Sequence, residues 1–158
     1  MADDLWPNFE KLPKFRAPAQ ILREQAELLG EKTGNVIRAE VLPLKVRDEG
    51  RLLFGFSLIA PALNNYRLRV LNLGHEVRRL YPAKLTTMLQ PPVEGRYPVY
   101  ELGSESAFVE ALKSVLGHET TVHAVQSLWV QSEDFPVGIG DDDEDPFEPA
   151  EAALHKSR

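Results

Sequence analysis

The sequence predicts an α+β fold: one domain with an antiparallel meander sheet of about five or six strands and two helices packed on one face. Three observations point there. Between Arg51 and Lys84 apolar and polar residues alternate and turn signals recur, the pattern of strands with one buried face. Two other stretches, from Ala19 and from Glu105, repeat apolar residues at helical spacing. A chain of 158 residues suits a single domain, which buries roughly 70% of its unfolded surface.

Residues 1–18 form an arm in which Pro7, Pro13 and Pro18 forbid a continuous helix. Leu5, Trp6, Phe9, Leu12 and Phe15 make it strongly apolar. It is expected to strap over the domain's own core; the alternative is an anchor for a partner, with Trp6 and Phe9 as the contact residues. The domain itself is placed at 19–132. Its first helix starts at Ala19, behind a proline suited to a first turn, and carries Ile21, Leu22, Leu28 and Leu29 on one side. Gly30 or Gly34 can end it.

Val36–Val46 reads as a strand, with Ile37, Ala39 and Val41 pointing inward and Arg38 and Glu40 outward. Asp48-Glu49-Gly50 is a hairpin turn. The meander follows, broken by turns at Asn64-Asn65 and Gly74-His75. Tyr66 is expected in the core and His75 in the open. Pro82 should demote Val77–Met88 to an edge strand or split it. Gln90–Pro98 is a loop and Val99–Leu102 a short strand. Ser104 caps a second helix carrying Phe108, Leu112 and Val115, which Gly117 stops. Thr120–Gln131 is expected to be a doubly buried strand enclosing Trp129. Residues 133–158 form an acidic tail, expected to be disordered or conditionally ordered.

The net charge of −6 divides unevenly. The tail has nine acids against Lys156 and Arg158, −7, while Arg51–Lys84 has six bases against Glu76, +5. An overall pI near 5.3 argues against constitutive nucleic-acid binding. With no cysteine, disulfides, thiolate nucleophiles and thiolate metal sites are all excluded. The acidic start lacks the pattern of a secretory signal, and no apolar run approaches the roughly twenty residues of a membrane span. A cytoplasmic location without membrane contact is expected.

Motifs for chemistry are thin. His118 and His123 stand five apart across a glycine-led turn, where zincin spacing needs four on one helix. Capping or a satisfied core position is expected of them, and no metal or cofactor is called for. Gly138-Ile139-Gly140 has no strand or helix to frame a nucleotide site, and no serine elbow or phosphate loop occurs.

The arginines lead further. If Phe54, Phe56, Ile37 and Val41 form the core face, strand parity puts Arg38, Glu40, Ser57, Arg67 and Arg69 on the opposite one, and Arg78-Arg79 follow the next turn. Their guanidinium forks suit phosphates and carboxylates, although a solvated face also carries them. The expected function is a non-enzymatic protein-interaction module (adaptor, inhibitor or accessory subunit) using the arm, a sheet face and the tail, with another protein as partner. The alternative is a phosphate- or nucleic-acid-binding domain on Arg67, Arg69, Arg78 and Arg79, masked by the acidic tail. A small enzyme without a recognisable motif comes third.

Overall fold

The computed structural model describes residues 2–44 and 50–135. Helix α1, Pro18–Lys32, opens with its proline in the first turn, where a missing N–H leaves nothing unpaired. Gly34 and Asn35 then take left-handed backbone angles, and the Asn35 N–H donates to the Gly30 carbonyl at 2.8 Å. Five strands follow: β1 (Arg38–Pro43), β2 (Arg51–Ala60), β3 (Tyr66–Glu76), β4 (Arg79–Thr87) and β5 (Val99–Leu102). They lie in the sheet in sequence order, each antiparallel to the next. Helices α2 (Glu105–Leu116) and α3 (Glu119–Asp134) complete the domain. One core joins Ile21 and Leu22 of α1, Phe56, Leu71, Leu73 and Leu85 of the sheet, and Phe108 and Leu128 of α2 and α3. The α+β meander is thus the observed fold, with one more helix than expected.

Two irregularities shape the sheet. Phe56 pairs with Leu71, but Ser57 pairs with Arg69, so Val70 is an extra residue on β3. Val70 and Leu71 are both buried. The bulge switches parity: Leu68 faces inward before it, and Leu71 and Leu73 after it. Arg67 and Arg69 therefore share the opposite face with Asn72 and Gly74. Between β3 and β4, Gly74 pairs with Lys84 and Glu76 with Arg79, so four residues of β4 crowd against His75 alone.

Several elements match the sequence pattern. Asn64 and Asn65 both sit at positive φ, as the turn there requires. The 90–98 loop closes on Val93 and Arg96, with Glu94 and Gly95 left-handed between them. The Ser104 hydroxyl accepts the Ala107 N–H at 3.2 Å, capping α2. The turn expected at Asp48-Glu49 and residues 136–158 of the acidic tail lie outside the described residues.

Other expectations are corrected. Thr120–Gln131 is helical, not a strand. Its β-branched residues favour extended backbone, yet Thr121, Leu128 and Ser132 bury one helical stripe. His118 starts this helix, its Nδ1 accepting the Thr120 N–H at 3.2 Å. Trp129 packs half-buried at the core's margin rather than inside it. Gly74-His75 is strand interior, not a turn, and His75 is buried, stacked on Phe54 with ring centroids 6.0 Å apart. Pro82 neither ends nor splits β4, which runs between β3 and β5. The proline falls within the irregular stretch facing His75, and pairing with β5 begins only at Ala83, so neither neighbour needs its missing N–H. Tyr66 is 49% exposed rather than in the core.

Burial separates two aromatic substitutions. Phe108→Ala, at a fully buried site, should cost about 3–5 kcal/mol in urea unfolding, and Trp129→Ala clearly less. Equal losses would mean that Trp129 is as enclosed as Phe108.

Candidate functional site

Among the described residues, the helices pack on one face of the sheet and leave the other open. Cross-strand register places Arg38, Glu40, Ser57, Arg67 and Arg69 on this open face, as parity predicted. Its centre is Arg69, lying across β2. The guanidinium donates to Ser57 Oγ at 3.1 Å and to Asn72 Oδ1 at 2.8 Å. Gly55 makes room for it: a Cβ there would stand 2.7 Å from the guanidinium carbon. Arg67 forms an ion pair with Glu40 on β1. Both side chains are thus engaged within the sheet.

The structure does not gather the four arginines into one patch. Arg78 and Arg79 sit at the far end of β3, roughly 20–30 Å from Arg67 and Arg69 at ~3.3 Å per residue. Beside Arg79 the open face dips into a depression of about 290 Å³, lined by Arg51, Glu76, Lys84 and Glu101 among others. It lies beside the irregular pairing around His75, and Leu53 lies over Gly74, where a Cβ would meet its methyl at 2.8 Å. Sequence reasoning missed it because the pairing irregularity that opens it leaves no periodic signal.

The arm does not strap over the core. Leu5 is 90% exposed, Trp6 76%, Phe9 59% and Phe15 63%. Asn8 caps a short 3-10 turn at Phe9–Lys11, its side chain accepting the Glu10 N–H at 3.1 Å. Trp6 and Phe9 meet each other, ring centroids 6.0 Å apart. The arm reads as apolar whether it covers its own core or reaches away, so composition could not separate the two.

Arg16 fixes where the arm leaves. Its N–H donates to Glu105 Oε1 at 2.6 Å, its guanidinium to Glu24 Oε2 at 2.6 Å, and its carbonyl accepts from the Tyr81 hydroxyl at 3.0 Å. Nothing in the local sequence marks Arg16 as a joint; its partners come from α1, β4 and α2. Burial, then the Glu105 carboxylate, raise the Tyr81 phenol above its ordinary value of 10.0, with Arg16 opposing.

Among the described residues no group of three or more His, Cys, Asp or Glu could hold a metal ion, and no helix is long and apolar enough to cross a membrane. The chain matches no protein-family model, no curated protein and no solved structure with which it was compared.

Two outcomes follow. Gly55→Ala should displace the Arg69 guanidinium, the mobile end of a flexible side chain, and change stability by less than about 1 kcal/mol. The Arg69 Nε–H resonance would then lose exchange protection; unchanged protection would contradict the packing described. Tyr81 holds its proton more tightly in the folded protein, so its contribution is complete below pH 10.0 and is lost as pH rises through the folded value. Tyr81→Phe should flatten this alkaline fall relative to the unaltered chain in urea titrations; an identical slope would remove Tyr81 as its source.

Proposed function

We propose that this protein is a non-enzymatic interaction module, of the adaptor, inhibitor or accessory-subunit kind, whose docking element is the N-terminal arm. The exposure of Leu5, Trp6, Phe9 and Phe15 on one short segment carries this reading. Contiguous exposed apolar surface marks interaction sites, and tryptophan is enriched among the residues that dominate binding. The pinned root at Arg16 supports it further, because a fixed exit point lowers the entropy lost on docking. The open sheet face and the acidic tail supply secondary contacts.

The second reading is phosphate or nucleic-acid binding on the open face, masked by the tail. The depression beside Arg51, Arg79 and Lys84 favours it. Against it stand the Glu40 partner of Arg67 and the separation of the two arginine pairs. Salt separates the readings, since counterion release makes polyanion binding fall steeply with ionic strength while apolar docking changes little.

Removing residues 2–14 should leave unfolding free energy within about 0.5 kcal/mol, as expected where nothing buried is lost. The same truncation should abolish recovery of the partner from host extract by the immobilised protein. Unchanged recovery would overturn the arm's role.

A further inference from the structure

Resting on that reading of the arm, we infer that its partner is a second copy of this chain. The Trp6–Phe9 pair of each copy seats in the groove between α1 and α2 of the other. That groove has a volume of about 330 Å³ and is lined by Ile21 and Gln25 from α1 and by Val109, Leu112 and Leu116 from α2. Val109 is 37% exposed although it faces aliphatic neighbours. The volume falls within the range of pockets that enclose small apolar ligands.

The chain holds both halves of the contact. On the arm, the 3-10 turn and the Asn8 cap hold Trp6 against Phe9 before docking. On the domain, the groove lies beside the arm's own root, because Arg16 also lines it. That position works against self-docking. In the structure the arm does not enter its own copy's groove, since Trp6, Phe9 and Phe15 stay exposed, and Pro13 stiffens the segment that would fold back. A neighbouring copy does not need the arm to fold back.

Exchange of arms is reciprocal, so it closes as a two-fold dimer with no arm left over. Its area is at the lower end of what a stable dimer needs. Trp6 and Phe9 are 76% and 59% exposed. At 150–250 Å² per aromatic side chain they offer on the order of 300 Å² per arm. Two arms and the surfaces they cover then reach roughly 1,200 Å², the lower end of stable interfaces. Charge agrees with the direction of docking. Asp3 and Asp4 precede Leu5-Trp6, and Lys113 stands at the groove's rim with no carboxylate within ion-pair distance among the described residues.

Sedimentation over a concentration series tests this on the full chain. The unaltered protein should reach twice 17.8 kDa. Trp6→Ala with Phe9→Ala, and separately Val109→Asp, should each weaken self-association about tenfold or more. Mixing those two variants should restore pairing above that of either alone, because one intact arm still meets one intact groove. Lys113→Glu, on the exposed rim, replaces Val109→Asp if the latter unfolds, and should weaken the dimer in the same sense. A monomer at every concentration, a dimer that survives removal of residues 2–14, or a mixture no better than its components overturns the inference. If the protein is monomeric yet the truncation still loses a different partner from extract, the arm remains the docking element and only the identity of its receptor is wrong.

Discussion

In β3 the odd positions carry both Arg67 and Arg69 and Leu71 and Leu73, so a regular strand would present them all on one face. Burying a leucine stabilises by about 1.5–3 kcal/mol, whereas an unpaired buried charge costs far more. No regular register satisfies both sets. The extra residue at Val70 resolves the conflict by turning the parity of the strand halfway along. Everything else depends on this. Leu71 and Leu73 can meet Phe56, Leu85 and the helices, while Arg69 comes to lie on the far side against Gly55.

The two surfaces left by this arrangement differ in how well they satisfy themselves. On the open face Arg67 answers Glu40, and Arg69 answers Ser57 and Asn72 across the strands. Little there asks for a ligand. The arm is the reverse: Trp6, Phe9 and Phe15 are mostly exposed, with Trp6 and Phe9 paired, although the cavity between α1 and α2 lies beside its root. On the polar surface the two central arginines are satisfied, and the apolar segment is the one left open.

Much of the fold was legible because the local signals agreed with burial. Ser104, Phe108, Leu112 and Gly117 mark α2 by cap, stripe and stop. Arg38, Glu40, Ser57, Arg67 and Arg69 were assigned one face by parity, and parity holds up to the bulge. What failed did so where tertiary context overrides propensity. Threonines and valines in α3 favour extended backbone, yet packing against the sheet decides for helix. Gly74 looks like a turn but is a site where Leu53 crosses the backbone. Of the candidate site, the aromatic content of the arm was plain, but its exposure, the joint at Arg16 and the groove at Val109 arise only when α1, α2 and β4 come together.

The chain's two tryptophans stand in opposite surroundings. Trp6 is 76% in water on the arm, and Trp129 is half-covered on α3. Indole emission shifts to the blue as water is removed, so the pair divides the spectrum between two events. Docking of the arm as proposed would draw the red component inward while the blue one stays still. Melting of the domain moves the blue component outward and leaves the red one where it was. A chain with this placement carries an intrinsic optical reporter for each process, and no dye is needed to tell assembly from unfolding.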